Sequence, residues 1–408
     1  MRIAVVGSGV AGLVTARLLH PAHEVTVFEA DTRIGGHVHT WNLVSGGRAW
    51  SVDSGFIVYN ERNYPLFTRL LAELGVATQP STMSFSVRSD RAGLEYNGAS
   101  LRGLFAQPRN AVRPSYLRML ADVLRFNREA PQAMRTGAAG AALGEYLDGH
   151  RYSRAFREHY LLPMASAIWS MPQDRVLEMP TAFLVRFFAN HGLLTVDGRP
   201  QWRVIQGGSR RYVEALVAPF RDRIRTATPV RRLARFPDRV EVNGATFDRV
   251  VLACHSDQAL ALLADPTPAE RAILGDLPYQ VNDAVVHTDT GVLPRARAAW
   301  GSWNYLVTGS ADQPATVTYN MNILQSLAAS ETFCVTLNAA VPIAADRVLG
   351  RVRYHHPLYT PASVRAQARR GAISGVHRTH YCGAYWGNGF HEDGVRSAHD
   401  VAREVGTP

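Results

Sequence analysis

Gly7, Gly9 and Gly12 stand at the spacing Gly-x-Gly-x-x-Gly directly after the run Ile3-Ala4-Val5-Val6, and Glu29 follows 22 residues after Gly7. Glycines so placed serve phosphate binding. Gly7 allows a tight turn out of a strand, Gly9 lets backbone N–H groups approach a pyrophosphate, and Gly12 lets helix and strand pack closely. The pyrophosphate is expected at the positive end of a helix from about Ala11 to Leu19, with Val10 and Ala11 among its contacts. Glu29, after the apolar strand Glu24–Phe28, is placed to accept hydrogen bonds from a ribose, with Ala30 beside it. A glycine motif alone is a weak signal, but the flanking strands and the spaced acid make this a βαβ dinucleotide unit.

The next stretch narrows the dinucleotide. It reads Ala30-Asp31-Thr32-Arg33-Ile34-Gly35-Gly36-His37-Val38-His39-Thr40. The Gly35-Gly36 pair lets a second backbone segment pass close to a cofactor, and the Arg33 guanidinium is expected to meet phosphate oxygens. This stretch resembles the FAD-dependent amine oxidase superfamily, which also holds phytoene desaturases and protoporphyrinogen oxidases. That family's hallmark is an acid, then Arg-x-Gly-Gly-Arg, then Thr or Ser. His37 stands where the family usually has its second Arg; it too can donate to a phosphate or flavin oxygen, with a charge that depends on pH.

The resemblance implies FAD, and it extends to two further segments. Trp50-Ser51-Val52-Asp53-Ser54-Gly55-Phe56-Ile57-Val58-Tyr59-Asn60 is similar to the family segment lying against the isoalloxazine ring, which brings Ser54, Gly55 and Phe56 to the cofactor. An ordinary strand and glycine turn is the plain alternative. Val230, after Thr228-Pro229, matches the position that typically contacts adenine. Near the end, Tyr381-Cys382-Gly383-Ala384-Tyr385-Trp386-Gly387-Asn388-Gly389-Phe390-His391-Glu392-Asp393-Gly394-Val395 reads as a strand, a glycine-rich turn and a helix beginning at Asp393-Gly394. In the superfamily that helix end faces the flavin, where its dipole stabilises charge on the reduced ring. Gly383, Asp393, Gly394 and Val395 join the cofactor set. The run Gly-Phe-His-Glu-Asp-Gly resembles a bacterial branch often associated with lipid-methylating enzymes of the cyclopropane-fatty-acid synthase type.

Many amine oxidases of the superfamily place a Lys, through water, at flavin N5, and this chain has no Lys. The branch resemblance, with an apolar middle region, favours dehydrogenation of a fatty-acyl chain, such as a methylated phospholipid acyl group. Hydride would go to flavin N5, while His391, Glu392 or Tyr59 takes the proton. An amine oxidase or other small-molecule oxidase is the alternative, and a non-catalytic flavoprotein that presents lipid is a third. The expected partners are a hydrophobic acyl substrate, a lipid methyltransferase and an anionic membrane surface.

These residues need a scaffold. The expected fold is α/β: a Rossmann-like FAD-binding domain from residues 1–80, 200–278 and 370–408, with a discontinuous α+β substrate domain from 81–199 and 279–369. At 408 residues the chain is too long for one simple core. Alternating runs near Val281–Thr288, Trp300–Val307, Thr316–Met321 and Thr332–Leu337 predict an antiparallel sheet in the second domain. Tyr64–Leu74 predicts a helix closed by Gly75. Arg113–Arg135 predicts another, with Leu117, Leu120, Ala121 and Leu124 on one face and Arg118, Asp122 and Arg125 opposite; such a basic amphipathic helix packs inward or lies on a membrane. Tyr160–Ser170 and Phe183–Leu194 read as core or as the wall of a substrate tunnel. His255, after the strand Arg249–Cys254, falls where ligand sites gather, or is a satisfied surface histidine.

The formal net charge of +10 comes from 44 cationic residues, all Arg. No nucleic-acid motif accompanies them, so nucleic acid is not an expected partner. Three widely separated cysteines lack ligand spacing and give neither a disulfide framework nor a metal site. No apolar run approaches the ~18 residues of a spanning helix. With the first strand beginning at Arg2, the expected location is cytoplasmic, with peripheral contact at the inner membrane face.

Overall fold

The computed structural model describes residues 1–135, 141–195, 198–307 and 315–406. Strand β1 (Arg2–Val6) is the centre of a five-stranded parallel sheet. It pairs with β2 (Glu24–Phe28) on one side and Arg249–Leu252 on the other, with Val5 opposite both Val27 and Val251. Ile224–Arg225 and Thr379–Tyr381 complete the edges. Ile3, Ala4 and Val5 are fully buried because helices and connections cover both faces of a parallel sheet. Helix α1 (Val10–Leu19) follows the glycine turn, one residue earlier than its expected start. The closing helix His391–Val405 packs on α1, so close that a Cβ on Gly394 would come within 2.8 Å of Val10 Cγ1.

A seven-stranded sheet forms the other half. Its order is Val348–Pro357, Tyr279–His287, Cys334–Leu337, Thr316–Asn320, Trp303–Val307, Phe85–Ser89 and Leu94–Asn97. All neighbours are antiparallel except Trp303–Val307 beside Phe85–Ser89, which run parallel. The expected sheet is therefore antiparallel with one exception. The hairpin 85–97 returns to it only through a long crossover, which makes that junction parallel. Val348–Pro357 was not among the expected strands. It is an edge strand whose alternate positions face solvent, and the exposed Leu349 beside the inward Gly350 interrupts its apolar alternation.

Pro65–Glu73 is a helix, with Gly75 beyond it at φ +64°, as the sequence predicts. Helix Pro114–Arg135 also forms, but turned from the expected face. Tyr116, Met119, Phe126 and Ala130 point into the core, while Leu117 and Leu124 face solvent. Asp122, expected outside, is buried. Its carboxylate accepts from the Ser153 backbone N–H at 3.0 Å and pairs with Arg118 and Arg125. Burying two aromatic rings outweighs burying two leucines, and the inward acid has partners enough to offset its desolvation.

Candidate active site

A cavity of about 730 Å³ lies between the two sheets. The chain builds it first from the β1–α1 turn. Gly7, at φ +105°, donates its N–H to Phe28 at 2.8 Å, and a Cβ there would meet the Ala253 carbonyl at 2.9 Å. A Cβ on Gly12 would collide with the Gly7 carbonyl oxygen. Gly9 differs: nothing lies within 4 Å of where its Cβ would be. That open space at the N-terminus of α1 suits an anion. Gly7, Gly9, Val10 and Ala11 line the cavity, whereas Gly12 works behind them.

Glu29 reaches the same space from the end of β2, with Ala30 and Val230 beside it. Its Oε2 accepts from the Ser8 N–H at 2.9 Å, and its Oε1 from Asp31 N–H at 2.9 Å. Gly35 and Gly36 pass over the turn, and the Gly35 N–H donates to the Ser8 carbonyl at 2.9 Å. Arg33 holds this loop. Its guanidinium donates to the carbonyls of Val38 and Gly36, both at 2.8 Å, and does not line the cavity. The expected phosphate contact is thus replaced by a contact with the loop that carries the Gly pair.

His37 does line the cavity. Its ring stacks on Tyr354 at 5.0 Å and its Nε2 is buried without a partner, as is Nδ1 of His255 across from it. Burial, with His255 and Arg33 nearby, pushes His37 down to about 4; burial with His355 and His356 does the same for His255. Both rings are neutral at pH 7. A neutral imidazole carries one donor and one acceptor nitrogen, so each unused nitrogen can donate to or accept from a bound group according to its tautomer.

Ser54, Gly55 and Phe56 form the next stretch of wall. They are positioned by residues 37–39: Phe56 N–H donates to the His37 carbonyl at 2.8 Å and Ser54 N–H to the His39 carbonyl at 3.0 Å. A Cβ on Gly55 would strike the His37 carbonyl oxygen. Behind this stretch Asp53 is wholly buried. Thr40 Oγ1 donates to it at 2.5 Å, Ser209 N–H at 3.0 Å and Gln325 Nε2 at 3.1 Å.

The glycine-rich turn closes the cavity with Gly383, Asn388, Gly389, Phe390 and His391. The closing helix begins at His391, two residues before the expected Asp393-Gly394. Asp393 folds back instead: its Oδ2 accepts from the Phe390 N–H at 3.1 Å and its Oδ1 pairs with Arg396. Gly394 and Val395 pack toward α1 behind the cavity wall. His391 lies face to face with Phe56, centroids 3.5 Å apart, and shares a 2.7 Å hydrogen bond with Tyr212 Oη. Burial holds it well below the usual imidazole range, so it is neutral.

The other two expected bases lie elsewhere. Both oxygens of Glu392 are engaged, accepting from the N–H groups of Leu66 at 3.1 Å and Phe67 at 3.0 Å. They satisfy two orphan donors of helix Pro65–Glu73. Tyr59 is buried in aromatic contact with Tyr64 and Phe67 and does not line the cavity. The far wall was legible only in part: Ile168 and Trp169 lie in the run Tyr160–Ser170, read as core or tunnel wall, while Trp303, Tyr319, Leu337 and Tyr359 come from four other chain regions. The sequence shows them only as apolar runs. His356, also on the wall, carried one unused signal, the cluster Tyr354-His355-His356.

Two helix N-termini, a ribose-ready acid and a long cavity ending in aromatic rings define a dinucleotide-binding enzyme. A family model described as flavin containing amine oxidoreductase matches residues 10–295, and the chain belongs to that family. AofH of Mycobacterium tuberculosis, named as a flavin-containing monoamine oxidase, is 26% identical over 76% of this chain and 67% of its own length. Carotenoid phi-ring synthase of Streptomyces griseus is 24% identical over 70% of this chain and 57% of its own. The structure of a CLA-producing fatty acid isomerase from P. acnes superposes with a TM-score of 0.66 at 15% identity, covering 98% of each chain; it shares the fold. The protein is an FAD-dependent oxidoreductase. No helix among the described residues is long and apolar enough to cross a membrane.

Proposed function

We propose that this oxidoreductase dehydrogenates a fatty-acyl chain, with a methyl-branched phospholipid acyl group as the substrate and a lipid methyltransferase as its supplier. One observation carries the reading. Among the described residues, Glu29 is the only Asp, Glu or Arg on the cavity wall, and it lies at the β2 end. The opposite end is aromatic and aliphatic, suited to an uncharged chain. The carotenoid and fatty-acid enzymes named above act on long apolar molecules, which supports the same class.

In this reading the cavity would hold FAD. Glu29 and Ala30 take its ribose, Val230 its adenine, Gly9 to Ala11 with Gly36 and His37 its pyrophosphate, and Ser54 to Phe56 with Gly383 its flavin. FAD supplies the hydride acceptor, flavin N5. Trp169, Trp303 and Tyr319 hold the chain and keep water out. His391, neutral and fixed by Tyr212, accepts the proton from the carbon adjacent to the one losing hydride. Glu392 and Tyr59 are not carried into this role, because the cavity does not reach them.

The amine oxidase reading keeps the support of AofH. Anaerobic addition of extracted phospholipids, with and without methyl branches, separates the two. The expected outcome is bleaching of the oxidised flavin band by lipid, with a product lighter by two hydrogens. A flavin that lipids leave oxidised and amines reduce overturns the proposal.

A further inference from the structure

We propose that the outward face of helix Pro114–Arg135 docks on an anionic lipid bilayer. The face is apolar where a solvent face would be polar. Leu117 is 44% exposed and Leu124 61%, one helical stripe apart with Ala121 between them, and Val112, just before the helix, is 80% exposed. Large apolar side chains grouped on one helix face mark an interaction surface, unlike singly scattered ones.

Charge selects the partner. Residues 99–129 contain six arginines, at 102, 109, 113, 118, 125 and 128, and two acids, Asp122 and Glu129. Asp122 is turned inward and buried, and Glu129 is half-buried against Arg125 and Arg128, so the face is cationic on balance. Arg118 and Arg128 flank the leucines with side chains 60% and 71% exposed. Leucines beneath an arginine fringe are the pattern of a helix lying in the headgroup layer, the leucines entering the acyl boundary and the guanidiniums meeting lipid phosphates. A second copy of this chain would bring the same arginines against one another, which disfavours self-association through this face.

The helix is anchored for such a load. Its inner residues Tyr116, Met119 and Phe126 belong to the same core as Trp169 and Tyr359, which line the cavity. Tyr116 Oη also donates to the Leu104 carbonyl at 2.8 Å, tying the helix to the preceding segment, where Leu101 is exposed beside Arg102. The bilayer would therefore rest against the outside of the core whose inside forms the cavity wall. This surface stands whichever molecule is oxidised.

Co-sedimentation of the FAD-loaded protein with vesicles tests it without turnover. Vesicles of phosphatidylglycerol and phosphatidylcholine in equal parts are expected to bind the protein at least about tenfold more tightly than pure phosphatidylcholine, with the difference removed by high salt. Leu117→Ser/Leu124→Ser and, separately, Arg102→Gln/Arg128→Gln should each weaken binding about tenfold while flavin absorbance is unchanged. Equal binding to both vesicles, no binding, or binding indifferent to both double variants would overturn the proposal. So would a dimer in light scattering that the leucine variant dissociates, since that result assigns the face to a second copy.

Discussion

Side chains next to one another in sequence have unlike roles here. His391 and Glu392 are adjacent, yet His391 opens onto the cavity against Phe56, while Glu392 turns to the N–H groups of Leu66 and Phe67. Glu392→Ala should therefore lower stability by about 1–2 kcal/mol, the scale of a lost N-terminal cap, and leave the rate of flavin reduction intact. Thermal melting paired with anaerobic reduction by substrate would check it. His391→Asn should do the reverse, slowing reduction about 10²–10⁴-fold at unchanged flavin occupancy if it is the proton acceptor. Gly12→Ala acts earlier: no side chain fits against the Gly7 carbonyl, so the purified variant should lack FAD, visible as a missing flavin spectrum. The glycine turn and the place of Glu29 after β2 were legible because a tight strand-to-helix turn demands glycine at fixed spacing and the acid follows the second strand at a set distance. The role of Arg33 was not. Its charge suggested phosphate, while three neighbouring carbonyl oxygens, of Ile34, Gly36 and Val38, lie within its own reach.

Elements show how far periodicity carries. Helix Pro114–Arg135 was expected from its pattern, but two stripes competed for the interior, one of leucines and one led by Tyr116, Met119 and Phe126. The second is buried, with Met119 and Phe126 wholly enclosed. Phe126→Ala should cost about 3–5 kcal/mol, as emptied aromatic sites in cores do, while Leu124→Ala should stay within about 0.5 kcal/mol. Chemical denaturation of the two variants side by side would read the rotation of the helix directly. The edge strand Val348–Pro357 makes the complementary point. Leu349, Arg351 and Arg353 face solvent, so its sequence lacks the apolar run that would mark it, and its pairing with Tyr279–His287 gives it strand geometry.

Across the whole molecule, buried neutral histidines should dominate the response to acid. Burial first, and then neighbouring imidazoles, hold His37 and His255 at about 4 and His356 at about 3, against 6.5 for the free side chain. Between pH 6.5 and 4 the unfolded chain binds protons that the folded chain refuses, so stability falls as pH falls. From pH 7 to 5 each such histidine should remove about 1–2 kcal/mol. Asp53 opposes this: burial raises it to about 6, so the folded state holds its proton and gains stability on acidification. Asp393, also raised by burial, acts the same way, but the buried histidines outnumber the two carboxyls and leave a net loss. The melting temperature of FAD-free protein should drop steadily between pH 7 and 5, and a flat profile would contradict the assigned burial. The sequence by itself determined the dinucleotide cradle, the flavin and the broad α/β class, because these depend on glycines, one acid and strand runs whose physics is local to a few residues. Only the tertiary structure decided which histidine faces the cavity, which acid caps a helix, which face of a helix stays wet and which aromatic rings meet on the far wall. Those outcomes are set by competition among distant side chains for a shared interior, and no spacing along the chain records who wins it.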